Sequence, residues 1–411
     1  MRLASYWFKL VTTICLVSLL TGVGGILLHH LQDLVGELLY GREKPFTPAY
    51  FSHLSSQKIV ILVTATGLLS GLVWYLLQNQ NHRIHTIKAQ LAAKNVKERP
   101  GMLSHLIHIA WQIISVAAGS PIGKEAAPRE LGALLAGRLS DREHFSLSDR
   151  RLMIACGAAA GLSAVYQVPV ASVFFAFETM GISLSIKNFL LASLSMGLAA
   201  GVAGLSISSA PLYQISAMEL SWGNLELAVC LALVIAPLAS LFRNLTAKAQ
   251  ARKAKDKRLL WQLPLAFSLL AISATIFPEL LGNGSAFIES LFLGMDFQKV
   301  VILLLLKAAL VLLVLRAGAY GGTLTPSVAI GASLGYVLAT ALTVIWPSLS
   351  MDPAMVLGSA IFLAMTMKAP LTATALVISF TGQPLPAYLP LLLAVGTAYL
   401  SHHYLFTFNR K

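Results

Sequence analysis

Apolar residues come along this chain in long uninterrupted blocks, and polar residues gather between them. Clear blocks run from Leu10 to Leu28, Ile59 to Leu77, Leu190 to Leu205, Leu225 to Leu241, Leu259 to Leu281, Val300 to Leu315 and Ile330 to Ile345. Each approaches the length of about 20 residues that a helix needs to cross a bilayer. The stretch from Ala354 to Leu400 is apolar almost throughout. Lipid offers the backbone no hydrogen-bond partners and a helix satisfies its own, so the pattern predicts an all-α integral membrane protein. The first block is longer than a signal-peptide core and has no clear cleavage site before the next one, so it is expected to be the first helix.

Composition sharpens this reading. The chain is 56% hydrophobic and only 11% charged, where a soluble domain carries about 25% charged residues. The net charge of +13 would suggest nucleic acid on a soluble protein. Here the basic residues lie between blocks, in one run of Arg83, Lys88, Lys94, Lys97 and Arg99 and a denser one of Arg243, Lys248, Arg252, Lys253, Lys255, Lys257 and Arg258. The positive-inside rule puts both runs on the cytoplasmic face of the cell's inner (plasma) membrane, with the termini that bear Arg2, Lys9, Arg410 and Lys411. The expected partner of the surface is the bilayer rather than nucleic acid, with anionic lipid as a second role for the basic runs. Cys15, Cys156 and Cys230 fall in apolar segments without metal-ligand spacing. They are read as core residues, and neither metal nor cofactor is expected.

The chain appears twice within itself. Gly123-Lys124-Glu125-Ala126-Ala127-Pro128 and Gly321-Gly322-Thr323-Leu324-Thr325-Pro326 are both Gly-x-x-x-x-Pro, and each follows an apolar block and opens a small-residue segment. A second pair follows in the same order: one spacing leads from Gly157 to Pro169 and again from Gly358 to Pro370. This predicts two membrane repeats, residues 1–215 and 216–411. Transporter repeats are often inverted, with the site at their interface where helices are broken by Gly or Pro.

Glycine lets the chain turn sharply and proline is tolerated in a first helical turn, so each element reads as a helix N-terminus. Inside a bilayer, the free N–H groups and positive dipole end of such a terminus call for an anion. Gly123, Lys124, Ala126, Gly322, Thr323 and Leu324 are therefore the candidate anion-binding positions. Two facing N-termini would hold an anion without a full positive charge, which allows release. The competing reading makes both elements surface turns. Glu125 is itself an anion at one of these ends. Ionised, it would occupy and block the site; protonated, it would swing away, so it is the candidate gate and proton acceptor. The plainer alternative is a first-turn acid paired with Lys124 or Arg129.

At these residues the chain resembles the CLC family of chloride channels and proton-coupled anion transporters. The family's Gly-Arg/Lys-Glu-Gly-Pro is similar to Gly123-Lys124-Glu125-Ala126-Ala127, with Pro128 one place late. Gly157-Ala158-Ala159-Ala160-Gly161-Leu162 with Pro169, Gly321-Gly322-Thr323-Leu324-Thr325-Pro326 and Ala369-Pro370-Leu371-Thr372 resemble three further family motifs, in the family's order. The resemblance implies an inverted-repeat bundle of tilted and re-entrant helices, a homodimer with one pore per subunit, and a chloride-like anion with protons as the transported species. It also implies departures. The family's Gly-Ser-Gly-Ile-Pro falls at Asn81-His82-Arg83-Ile84-His85, which would put His82 at the anion-binding serine; the alternative is a basic loop with incidental histidines. The paired acids that couple protons stand here as Glu178-Thr179, so the coupling acid is absent at Thr179. The late tyrosine has only Tyr404 as a candidate, and the cytoplasmic nucleotide-binding pair of many relatives has no counterpart.

The expected activity is secondary transport of a small inorganic anion coupled to protons, with an uncoupled channel as the alternative that Thr179 favours. A cation transporter would want acids inside the spans, and Glu178 is the clearest of few. Gly331-Ala332-Ser333-Leu334-Gly335 matches the Gly-x-Ser-x-Gly of hydrolases, with His402 or His403 as base. That motif belongs on a strand-to-helix elbow, and inside an apolar helix small residues signal close packing. The chain is accordingly not expected to be an enzyme.

Overall fold

The apolar blocks all become helices, but the helices outnumber the blocks. The computed structural model describes residues 2–79, 84–93 and 100–407. The first part of the chain forms α1 (Arg2–Tyr40), α2 (Ser56–Asn79), the short α3 (Ile87–Ala92), α4 (Met102–Ala117), α5 (Ala126–Arg142), α6 (Leu147–Tyr166), α7 (Pro169–Glu178) and α8 (Ile186–Ala203). The second forms α9 (Trp222–Ala251), α10 (Leu259–Ile276), α11 (Ser285–Phe292), α12 (Phe297–Ala317), α13 (Leu324–Leu342), α14 (Met351–Met367), α15 (Pro370–Thr381) and α16 (Tyr388–Thr407). Among the described residues, seven helices are long and apolar enough to cross a membrane: α1, α2, α8, α9, α10, α12 and α13.

Local chemistry fixes the ends. Ser146, Ser185 and Ser221 cap α6, α8 and α9, each accepting an N–H three residues on, and Asp296 caps α12 in the same way. The block expected from Leu259 to Leu281 is corrected here. Helix α10 stops at Ile276, and Pro278 opens a short 3₁₀ turn, because proline cannot continue the backbone ladder. The apolar stretch from Ala354 is divided among α14, α15 and α16 at Ala369-Pro370 and Pro384. The dense basic run is not wholly a loop either. Arg243 and Lys248 lie within α9, and the Arg243 guanidinium donates to the Met365 carbonyl at 2.8 Å.

The centre of the molecule is made of helices in unusually close contact. A methyl group added to Gly132 would lie 1.9 Å from the Gly157 carbonyl, which brings α5 against α6. One added to Gly331 would lie 2.6 Å from the Gly358 carbonyl, which brings α13 against α14. Without a hydrophobic force between helices in lipid, small residues let the backbones gain dispersion contact. Helices α6 and α14 also end alike. Gln167 (φ 55°, ψ 43°) and Lys368 (φ 56°, ψ 38°) are both left-handed, and a proline opens the next helix two residues later. Outward faces carry bare apolar side chains such as Leu38, Ile61, Ile272 and Leu305, as a surface solvated by lipid requires.

Candidate functional site

Helices α5 and α13 begin at the same point in the interior. Gly123 and Gly322 face each other as an antiparallel bridge and exchange both backbone hydrogen bonds, Gly123 N–H to Gly322 O at 2.7 Å and Gly322 N–H to Gly123 O at 2.8 Å. The bridge sets the two N-termini side by side. Glu125 is the N-cap residue of α5 and Thr323 that of α13, and the two prolines, Pro128 and Pro326, each stand third in their helix. At that depth a proline removes only an N–H that the helix could not have used.

The Glu125 side chain crosses from its own helix to the other. Its Oε1 accepts the Leu324 N–H at 2.7 Å, and the residue is 1% exposed. The Tyr166 hydroxyl, at the C-terminus of α6, donates to Oε2 at 3.4 Å and stands 2.9 Å from Thr325 Oγ1. A carboxylate thus occupies the amide end of α13, where a free anion would bind. The glycines make this possible. A methyl group on Gly322 would lie 1.8 Å from Glu125 Oε1, and one on Gly123 would lie 2.0 Å from Oε2.

Several predicted positions are brought together here and others are engaged elsewhere. Glu125, Gly123, Gly322, Thr323 and Leu324 meet as expected, and Ala126 opens α5. The amides of Gly123 and Gly322 are bonded to each other, and the Leu324 amide is the one that reaches the Glu125 carboxylate. Lys124 turns to a different partner. Its ammonium donates to Gln32 Oε1 at 2.9 Å and lines a cleft with Tyr166, Tyr213, Asn283 and Glu289. Arg129, a turn beyond Glu125, stacks on the Phe175 ring at 4.5 Å. His82, with Asn81 and Arg83, falls outside the described residues, as does the Tyr404 side chain.

Glu178 is a capping residue of a neighbouring helix. Its carboxylate accepts the Leu371 N–H (3.0 Å), the Thr372 N–H (2.8 Å) and the Thr372 hydroxyl (2.6 Å), which closes the N-terminus of α15. Thr179 follows at the end of α7 and brings no acid. Ser333 is buried in α13 and donates to the Ala329 carbonyl at 2.8 Å, a packing role inside a helix. The His402 ring contacts Ser240 Oγ at 3.3 Å. No group of three or more His, Cys, Asp or Glu among the described residues is arranged to hold a metal ion.

Reasoning from sequence missed Tyr166, Thr325 and Lys307. Tyr166 could have been found by asking which side chain ends the segment that leads from Gly157 to Pro169. Lys307 gave no such signal. It is 0% exposed, and its ammonium donates to the Leu280 and Gly282 carbonyls at 2.9 and 2.7 Å. It thereby ties α12 to the loop beside the first turn of α13.

Comparison with known proteins agrees with this geometry. The family model described as "Voltage gated chloride channel" matches residues 66–403. The voltage-gated ClC-type chloride channel ClcB of Citrobacter koseri is 28% identical over 349 residues, covering 81% of this chain and 81% of its own. The H(+)/Cl(-) exchange transporter ClcA of Vibrio parahaemolyticus is 24% identical over 325 residues, covering 73% of this chain and 69% of its own. Among solved structures, a slow cyanobacterial Cl-/H+ antiporter superposes with a TM-score of 0.80 at 19% identity, over 97% of this chain and 95% of that one. A CLC-type fluoride/proton antiporter superposes with a TM-score of 0.70 at 19% identity, covering 95% of each chain. At those identities the two structures speak for the fold.

Proposed function

This chain belongs to the voltage-gated chloride channel family, whose work is anion transport, and from that premise we propose that it exchanges a small monovalent anion such as chloride against protons, with Glu125 as gate and proton acceptor. The observation that carries the reading is the 2.7 Å hydrogen bond from the Leu324 amide to the Glu125 carboxylate. A buried carboxylate on a helix N-terminus is an anion already seated, and a second anion can enter only when it leaves. Protonation removes its charge and with it the attraction to the amide and the dipole end. Gate opening and proton uptake then become one event at one atom.

The test is Glu125→Gln in liposomes, with chloride efflux and internal pH recorded together. The neutral amide mimics the protonated carboxyl, so anion flux is expected to persist, its pH dependence to vanish and coupled proton movement to stop. A variant that matches wild type in both respects would sink the gate. Failure of the wild type to move chloride, bromide, nitrate, thiocyanate or fluoride above empty liposomes would sink the transport assignment for this chain. An uncoupled channel is the second reading, favoured by Thr179 and by the engagement of Glu178 with α15. It predicts anion flux with no proton movement in the wild type.

The same proposal takes residues 1–215 and 216–411 as two related repeats, supported by the matched helix starts at Ala126 and Leu324 and the matched left-handed ends at Gln167 and Lys368. It places a homodimer in the plasma membrane with both termini on the cytoplasmic side. Cross-linking in native membranes tests the dimer, and protease access to terminal tags tests the orientation.

A further inference from the structure

Glu130, five residues along α5 from the gate, is a second largely buried carboxylate on that helix. Its side chain is 12% exposed and lies 3.1 Å from Nε2 of His108 on α4, whose own side chain is fully enclosed. The Gln112 amide donates to the same oxygen at 3.0 Å. On one side His108 meets His105, edge to face at 5.7 Å; on the other it meets Tyr320 at 4.7 Å. Tyr320 directly precedes the Gly321-Gly322 turn. The Gln78 amide, at the end of α2, donates to its hydroxyl, and the Lys253 ammonium, just past α9, sits 3.0 Å from its ring centre. Four other segments of the chain, α4, the end of α2, the turn past α9 and the turn before α13, thus gather around one acid that the anion site does not use.

Two features give this cluster a chemical meaning. Nδ1 of His108, Nε2 of His105 and Oε1 of Gln112 are buried with no hydrogen-bond partner among the described residues, as is Nδ1 of the neighbouring His85. Buried polar atoms are almost always bonded, so a group of orphans this dense is a place for bound water. Second, the rim is open. Tyr320, Gly321, Gly322, Thr323 and Lys253 are all partly exposed, so solvent reaches the edge of a cluster whose middle is enclosed.

We propose that the Glu130–His108 pair, oriented by Gln112, is this chain's internal proton-holding site and passes protons to and from Glu125. The proposal rests on the coupled exchange described above and supplies the acid that Thr179 does not. A carboxylate and an imidazole 3.1 Å apart share one proton between O and N, and water at the orphaned nitrogens can bring it in. Each transfer breaks one O–H or N–H bond and forms another, with no redox change and no co-reactant besides water. Along the helix the two carboxylates stand about 7.5 Å apart in rise, a gap for a short water chain.

Arg129 lies between them and acts electrostatically on both. When Glu125 gains a proton its negative charge is lost, Arg129 favours the ionised form of Glu130 more strongly, and the two acids tend to alternate. The other charged or titratable groups facing Glu130 are His105 on α4, Lys253 beyond α9 and Tyr320 before α13. A second anion-binding site is the competing use of the cluster, and the carboxylate at its centre would repel an anion.

The experiment pairs transport with spectroscopy. In liposomes carrying a chloride gradient, Glu130→Gln is expected to keep chloride flux within about twofold of wild type, to keep the pH dependence that belongs to Glu125, and to lower the proton-to-chloride ratio at least tenfold. His108→Asn should do the same if Glu130→Gln fails to assemble, and Glu130→Asp should restore part of the coupling. A folded Glu130→Gln protein with the wild-type ratio overturns the proposal. Infrared titration in the Glu125→Gln background reads the pair without transport. A carboxylic-acid band that titrates there and disappears in Glu125→Gln/Glu130→Gln is expected, and a band identical in both overturns the assignment. An uncoupled wild type would refute the exchange reading, while the infrared result would still decide whether Glu130 holds a proton.

Discussion

Gly322→Ala separates the gate from the fold more cleanly than replacing the gate itself. The added methyl would lie 1.8 Å from Glu125 Oε1 and 2.8 Å from its Cγ. An ordinary contact is about 3.5 Å, so the carboxylate must retreat by roughly 1.5 Å or more. It is the free end of a flexible side chain and can move, whereas the backbone bridge at Gly123 is left in place. The retreat breaks the Leu324 N–H···Oε1 hydrogen bond, and a bond to a charged acceptor contributes about 1.5–3 kcal/mol. At about 1.4 kcal/mol per factor of ten, the seated state of Glu125 loses roughly 10- to 100-fold in population relative to the displaced one. The sign with pH follows. On the proposed gating, raising the pH in the wild type should ionise Glu125, fill the site and lower flux. In Gly322→Ala the ionised carboxylate no longer fits, so flux at alkaline pH should rise toward the acid-pH level and the profile should flatten. Stopped-flow chloride efflux from liposomes, measured across pH on protein that remains monodisperse in detergent, reads this directly. A folded variant with the wild-type slope would refute the claim that Glu125 blocks the path by sitting against Gly322.

Other substitutions test neighbouring parts. Glu178→Gln should cost about 1 kcal/mol through the weakened cap of α15, seen as a lower melting temperature in detergent, with the proton-to-anion ratio unchanged; a changed ratio would make Glu178 part of the proton route. Tyr166→Phe removes a long 3.4 Å hydrogen bond to Glu125, so the midpoint of the flux–pH profile should move by less than about one unit. A larger shift would mean that the hydroxyl holds the carboxylate far more tightly than its geometry indicates. Ser333→Ala should leave transport intact, and a serine-directed probe should not label the wild type, because Ser333 is buried and bonded within its own helix; labelling lost in the variant would revive the hydrolase reading.

Helix positions and the two interior helix starts were legible because both follow from local rules. Blocks of apolar residues had to become helices in lipid, and Gly-x-x-x-x-Pro had to open one. What stayed hidden depends on which groups three-dimensional packing brings together. Gly123 and Gly322 were read as donors to an anion, yet their amides are consumed by each other, a pairing between residues far apart that no spacing announces. Lys124 was read as a site residue by adjacency; its ammonium bonds Gln32, a partner 92 residues away that no spacing announces. The 3₁₀ turn at Pro278 was overlooked because hydropathy continues smoothly across it, although the proline itself was visible. Lys307 was hidden for a different reason. One lysine in an apolar run looks like an interruption until its ammonium is found on the carbonyls of Leu280 and Gly282.

The Gly123–Gly322 bridge also has a consequence for how the protein is made. Leu324 follows Glu125 by 199 residues, and at a synthesis rate of about 5–20 residues per second the ribosome needs roughly 10–40 seconds to cover that distance. Throughout that interval α5 is in the nascent chain without the strand that pairs with Gly123 or the amide that receives Glu125. The N–H and C=O of Gly123 and a carboxylate destined for burial must meanwhile be held by water, lipid headgroups or the insertion machinery. A message truncated before the codon for Gly321 therefore yields a chain whose Gly123 N–H and C=O never meet the partner they have in the full fold.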